Sequence, residues 1–240
     1  MRLDIYLHKF DFALSRSNAS NLIKLGNVSV NGQIIRKTSF DINPELKYDI
    51  IIDNKDNYAS LGGVKLKKAL DFWQIDVKDK IVLDIGASNG GFTDLLLKNG
   101  AKKVYAVDVG KCALNQELID NERVKVVDKT NARDMPFNVI GEIGYIIVID
   151  VSFISLKLIL PNIKQFMGNM TKVIALIKPQ FEAGKSALNK KGIVKNSKII
   201  DEVLADIKKF SLNCGFEVND LIKAPHDFIK KNQEFLIYLT

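Results

Sequence analysis

The sequence predicts an α/β fold in which a parallel sheet flanked by helices follows a smaller α+β module. Three observations predict it. From Lys65 onward, short runs rich in Val and Ile alternate with helix-patterned segments. The glycine-rich turn Gly86-Ala87-Ser88-Asn89-Gly90-Gly91 joins the first run to a helix. The polar run Asp53-Asn54-Lys55-Asp56-Asn57 separates this pattern from a different one upstream. The expected units are residues 1–58, a small module with its linker, and residues 59–240, the larger domain.

In the first module, apolar residues recur at helical spacing from Leu3 to Phe10 and again at Ala19, Leu22 and Ile23, where Gly26 stops the second helix. Val28-Ser29-Val30 alternates, Asn31-Gly32 is a tight hairpin signal, and Ile34, Phe40 and Ile50 to Ile52 supply further strand material. A module of about 57 residues holds a marginal core, so it is expected to lean on the larger domain or on its ligand. In the second unit the strands are Ile81–Ile85, Lys103–Val107, Val124–Val127, Ile146–Ile149 and Val173–Ile177. They are nearly continuous in Val, Ile and Leu, as strands buried on both faces must be. Helices are expected over Phe92–Lys98 and Ser197–Asn213, the latter with Ile199, Ile200, Val203, Leu204, Ile207 and Phe210 inward, before a last strand over Glu234–Thr240.

Composition narrows the function classes. Thirty-five basic against 28 acidic residues give a net charge of +7, which makes a polyanion a reasonable partner. The signal is modest, because 30 of those cations are Lys. Two cysteines, Cys112 and Cys214, and two histidines, His8 and His226, build neither a disulfide framework nor a Cys/His zinc site, so a reduced, metal-free protein is expected. The longest apolar stretches, such as Ile143 to Val151, fall short of the roughly 20 residues of a membrane helix. The N-terminus lacks the features of a signal peptide, and a cytoplasmic location is expected.

The turn from Asp84 to Phe92 lets backbone approach a ligand at a helix N-terminus, where unpaired N–H groups collect. It is not Gly-x-Gly-x-x-Gly, since Ser88 stands at the second glycine, and no Walker-type Gly-Lys-Ser/Thr follows. Asp108 ends the next strand, where a carboxylate can accept from both hydroxyls of a ribose and would repel a ribose phosphate, which disfavours an NADP-binding oxidoreductase. Asp84 and Asp108 are expected to bracket an adenosyl site. The arrangement resembles that of S-adenosylmethionine methyltransferases. The bland alternative is a tight turn with Asp84 as its cap.

Two apolar runs end in charges, Asp150 and Lys178. The reactive crevice of an open α/β sheet lies at the carboxyl ends of its strands, so both are expected to open on the cofactor crevice. Lys65, after Gly62-Gly63, and Glu234 complete a Lys-Asp-Lys-Glu set if the fold brings them together. Ordinary salt bridges and solvated lysines are the alternative.

Taken together, these residues resemble the TlyA family of bacterial rRNA 2′-O-methyltransferases, also called haemolysin A, along the whole chain. The first module resembles the RNA-binding domain named after ribosomal protein S-four, through Arg2-Leu3-Asp4, Ser15 to Ala19, Leu22-Ile23, Gly26 and Val28 to Gly32. The second resembles the FtsJ/RrmJ-like, Rossmann-like S-adenosylmethionine methyltransferase domain, through Ser60 to Leu66, Asp84 to Phe92, Asp150 to Leu156, Lys178 to Glu182 and Asn232 to Leu236. The resemblance implies a catalytic tetrad of Lys65, Asp150, Lys178 and Glu234. It implies S-adenosylmethionine held by Asp84, Gly86, Ala87, Ser88, Gly90, Gly91, Phe92, Asp108 and Asn131. The implied reaction is 2′-O-methylation of cytidine in ribosomal RNA, and the start of the chain directly at the RNA-binding module points to the large subunit. Lys178 is expected to remove or orient the hydroxyl proton, with Lys65 as a second cation. RNA phosphates are expected on Arg2, Arg16, Lys24, Arg36 and Lys37. A mobile basic loop from Phe181 to Lys195, carrying Lys190 and Lys191, is expected to close over the RNA. Leu61 and Lys230-Lys231 depart from the family pattern. The competing readings are a non-catalytic RNA-binding or ribosome-assembly factor on a methyltransferase scaffold and, less in keeping with the sequence, a haemolysin.

Overall fold

A computed structural model describes residues 1–13, 15–53, 58–225 and 232–240. His226, Lys230, Lys231 and most of the polar run at 53–57 lie outside the described residues.

The chain opens with helices α1 (Leu3–Lys9) and α2 (Arg16–Leu25). Ser15 caps α2 by accepting from Asn18 N, and Gly26 ends it in the left-handed region at φ 79°. Strands β1 (Val28–Val30), β2 (Gln33–Ile34) and β3 (Ile50–Ile52) form an antiparallel sheet in the order β2-β1-β3. Asn31 and Gly32 both have positive φ, the conformation that a two-residue hairpin turn needs. Leu3, Leu7, Leu22, Ile23, Val28 and Ile42 make a separate small core. Phe40 corrects the sequence expectation, since it belongs to no strand. Its carbonyl accepts from Leu3 N at the start of α1, so its backbone satisfies a helix end in place of a ladder.

The second sheet has seven strands: β4 (Ile81–Ile85), β5 (Lys103–Val107), β6 (Val124–Val127), β7 (Gly144–Ile149), β8 (Met167–Ile177), β9 (Val218–Lys223) and β10 (Phe235–Leu239). Their order is β6-β5-β4-β7-β8-β10-β9. The first five are parallel, but β10 runs antiparallel to both β8 and β9. The expected parallel sheet is thus present, with an antiparallel strand added at one side. Strand β9 is not legible in the sequence, because it lies at the sheet edge and carries Asn219 and Asp220, so it lacks the apolar run of a buried strand.

Helices α3 (Gly62–Phe72) and α4 (Gly91–Lys98) pack on one face, with Val82, Val104, Val148 and Leu176 below them. After the short helices α5 (Gln116–Ile119), α6 (Leu160–Ile163) and α7 (Pro179–Glu182), the long helix α8 (Ser197–Asn213) packs on the other, over Ile147, Val173 and Ile237. Each such buried aliphatic side chain contributes on the order of 1.5–3 kcal/mol relative to exposure. The register then positions the site. Ile85 pairs with Ile149, Ile149 with Ala175, and Ile177 with Phe235. The residues that follow β4, β7 and β8, and the one that precedes β10, therefore leave the sheet along one edge.

Candidate active site

At Gly86 (φ 87°), an added Cβ would run into the carbonyl oxygen of Asp150, and at Gly91 into Ser60 Oγ. The turn after β4 is thus pressed against the end of β7 and the approach to α3, which only glycine permits. Ser88 takes φ 49°. Ser88 N donates to Asp108 Oδ2 and Gly110 N to Asp108 Oδ1, each at 2.9 Å, so two backbone amides orient the Asp108 carboxylate.

Two clefts meet at this turn. The larger, about 440 Å³, is bordered by Ser88, Asp108, Asn131, Val151, Phe153 and Ile159. The smaller, about 130 Å³, is bordered by Ser60, Ala87, Asn89, Gly91, Phe92 and Lys178. Gly86, Ser88, Asp150 and Ser152 line both. Asp84 and Gly90 border neither. Asp84 is buried behind the turn, where Thr93 Oγ1 donates to its Oδ2 at 2.6 Å and its Oδ1 has no hydrogen-bond partner among the described residues. Burial raises its pKa to about 7. The expected bracket of two acids is therefore one acid on the cleft and one beneath the turn. Gly90 faces Leu114 and Leu118 instead.

The four charged residues form two ion pairs. Lys178 Nζ lies 2.6 Å from Asp150 Oδ1, without hydrogen-bond alignment, and donates to Ser152 Oγ at 2.8 Å. Lys65, one turn into α3, donates to Glu234 Oε2 at 2.5 Å. Glu234 stands one residue before Phe235 and Lys178 one residue after Ile177, so the register of β8 and β10 sets them side by side. The ion partner of each lysine is thus a carboxylate, Asp150 for Lys178 and Glu234 for Lys65.

Three residues of the site escaped the sequence reading as individuals. Ser152 and Phe153 were seen only inside a motif. Phe153 has φ 64° and is 91% exposed, with its ring centroid 5.0 Å from that of Phe181. Its one sequence signal is its place three residues after Asp150. Glu182 accepts from Ser155 Oγ at 2.5 Å and from Leu156 N at 2.9 Å, which straps the segment after β7 to the short helix α7 (Pro179–Glu182). Burial raises the pKa of this carboxyl.

The expected RNA-facing residues divide. Arg2 Nε and Nη2 donate to the two oxygens of Asp4 at 2.8 and 3.0 Å, and Arg16 Nε donates to Oδ2 at 3.0 Å. Asp4 is 3% exposed while both arginines remain exposed. Burial opposes ionisation of Asp4, but the two guanidiniums outweigh it and hold the carboxyl below its ordinary range. Arg36 instead caps α2, with Nη1 donating to the Lys24 and Leu25 carbonyls at 3.3 and 3.0 Å. Lys24 is half-buried and Lys37 exposed. Lys190 and Lys191 are exposed on a depression of about 430 Å³. The basic loop is not irregular throughout. Phe181 and Glu182 end α7, Lys185–Ala187 is a 3-10 turn, and Asn232 accepts from Val194 N and donates to the Gly192 carbonyl, both at 2.8 Å.

A parallel-rich sheet with its glycine turn after β4, a cleft-facing carboxylate after β5 and charged groups at the ends of β7 and β8 defines the Rossmann-like methyltransferase class. Within that class, the chain belongs to the FtsJ-like methyltransferase family, whose pattern matches residues 58–240, and it carries an S4 domain over residues 1–46. It is 41% identical over 240 residues to hemolysin A of Brachyspira hyodysenteriae, covering 99% of each chain. It is 33% identical over 260 residues to the 23S rRNA (cytidine-2′-O)-methyltransferase TlyA of Campylobacter jejuni, covering 99% of this chain and 98% of that one. A solved structure of a hemolysin-type protein from Streptococcus thermophilus superposes with a TM-score of 0.75 at 38% identity, covering 100% of this chain and 87% of that one. Among the described residues, no helix is long and apolar enough to cross a membrane.

Proposed function

We propose that this protein uses S-adenosylmethionine to methylate the ribose 2′-hydroxyl of a cytidine in large-subunit ribosomal RNA. The observation that carries the reading is Lys178 Nζ, held by Asp150 and Ser152 where the two clefts meet. A cleft of about 440 Å³ is the size of a small-molecule site. The chain fits the cofactor in three respects. Gly86 and Gly91 leave a cradle that a Cβ would fill. Asp108 keeps a lone pair on each oxygen for the ribose hydroxyls. The start of α4, which no side chain caps, suits a carboxylate.

When bound, S-adenosylmethionine supplies a sulfonium methyl that the ribose oxygen attacks, leaving a neutral thioether. Lys178 Nζ orients the 2′-hydroxyl, and in its neutral form the amine takes up the hydroxyl proton and becomes the ammonium that Asp150 pairs with. Asp150 holds that amine, and its charge favours a nearby sulfonium. Glu234 holds Lys65 at the flank. The Phe153–Phe181 pair offers an exposed face on which an unstacked base can lie. Residues 1–58 dock structured RNA, with Arg2, Arg16 and Lys37 toward phosphates, while residues 59–240 carry the chemistry. The partner is the cytoplasmic ribosome or its RNA.

The test is methylation of purified large and small ribosomal subunits with methyl-labelled cofactor, followed by mapping of the modified nucleotide. Labelled 2′-O-methylcytidine in the large-subunit RNA is expected. Absence of label from the RNA of both subunits would leave a non-catalytic RNA-binding factor, and label on a base would displace the ribose assignment.

A further inference from the structure

We propose that Ser152 is a positioning residue for Lys178: its hydroxyl and the Asp150 carboxylate together aim the lysine amine at the junction of the two clefts. The inference rests on the role given to Lys178 above. A protonated lysine amine has three donor directions. Here Nζ lies 2.6 Å from Asp150 Oδ1 and 2.8 Å from Ser152 Oγ, and the side chain is almost wholly buried. One direction therefore points at Ser152, the Asp150 charge holds the amine from the other side, and Lys178 borders the smaller cleft, where a remaining direction is available to a ligand hydroxyl. Asp150 alone leaves the amine free to swing about one contact. Adding Ser152 defines a plane.

The segment that carries Ser152 is itself held. Glu182 grips Ser155 Oγ and Leu156 N, the Phe153 and Phe181 rings touch, and Phe153 is held at positive φ. A bulky residue takes that backbone conformation only where its surroundings over-determine it. Lys178 and Glu182 lie four residues apart at the two ends of α7, so both clasp the same segment. Ser152 thus meets Lys178 from a rigid support, which distinguishes it from a surface serine in chance contact. Misplacement of a reacting group by about 1 Å can cost on the order of 100-fold in rate.

The experiment compares Ser152→Ala, Ser152→Thr and Lys178→Ala in the full chain on purified large subunits. Ser152 is exposed, so Ser152→Ala is expected to keep the wild-type melting temperature. Its kcat should fall by about 10- to 100-fold, with KM for RNA and cofactor affinity by calorimetry changing less than about twofold. Ser152→Thr, which keeps the hydroxyl, should recover most of the loss. Wild-type kcat in Ser152→Ala, beside an inactive Lys178→Ala, overturns this inference alone. Full activity in Lys178→Ala overturns the parent reading as well. A loss in Ser152→Ala that Ser152→Thr does not recover, or that is matched by weaker cofactor binding, assigns Ser152 to the cleft wall and also overturns the inference.

Discussion

Asp4 and Asp84 are both buried, one in each domain, yet their pKa values shift in opposite directions. Asp4 has two guanidiniums on its oxygens, and its carboxyl is held below the ordinary range. Asp84 has one threonine hydroxyl, and burial drives its carboxyl up to about 7. Desolvation acts on both, so the difference lies in whether a cation is supplied. The comparison teaches what each acid is for. Asp4 anchors two arginines whose free edges remain exposed, a positive face for a polyanion. Asp84 sits as a buried strut beneath the glycine turn, its oxygen bonded to Thr93. Asp150 has a single cation beside it, at the edge of a cleft.

Removing the cation from Asp150 gives the largest expected effect. Lys178→Ala should lower methyl transfer by about 10²–10⁴-fold, the usual share of a general acid or base, while cofactor binding measured by calorimetry stays within a few-fold. Loss of cofactor binding in parallel would mean that the lysine serves the cleft and not the reaction.

Taking the charge from Asp4 comes next. Asp4→Asn should weaken RNA binding about tenfold and lower the unfolding free energy by about 2 kcal/mol, because charge-assisted hydrogen bonds to both arginines are lost. The sign with pH follows from the depressed carboxyl. Its contribution is full above the ordinary carboxylate range, near 4, and is lost as pH falls through the lower folded-state value, so wild type and variant should converge on acidification. A stability gap that does not narrow as the pH is lowered would show that shape, and not charge, mattered at this position.

Asp84→Asn should behave in the contrary sense. Between about pH 4 and pH 7 the unfolded chain releases a proton that folded Asp84 retains, so wild-type stability should decline as pH rises, by up to about 1.4 kcal/mol per pH unit from this group. Asn, neutral throughout, should flatten that slope in urea melts collected across the window. An unchanged slope would mean that Asp84 is ionised in the folded protein.

The smallest effect is expected far from both aspartates. Replacing Lys190 and Lys191 with Ala should reduce the slope of log RNA affinity against log salt by roughly 0.7–0.9 for each phosphate contact removed. An identical slope in the double variant would leave these two lysines as solvated surface.

Much of this was legible in the chain itself, for a physical reason. A strand buried on both faces must be apolar at nearly every position, so Ile81–Ile85 and Lys103–Val107 stand out with the bounds the structure has; the β-branched run Val124–Val127 does so at a half-exposed sheet edge, and an amphipathic stripe does the same for Ser197–Asn213. Glycine at Gly86 and Gly91 and acids at strand ends are local signals, because backbone sterics and burial act residue by residue. Pairing is not local. Lys65 and Glu234 are 169 residues apart, and only the antiparallel return of β10 beside β8 brings Glu234 next to Lys178. Edge strand β9 carries too few apolar residues to announce itself, and the facing of Asp84, beneath the turn and off the cleft, depends on how β4 packs under α4. Chain composition and period thus determined which residues are buried and where the backbone turns. Tertiary structure decided which charge meets which, because ion pairing, exposure at a cleft and the partner of a buried acid depend on segments that sequence order keeps far apart.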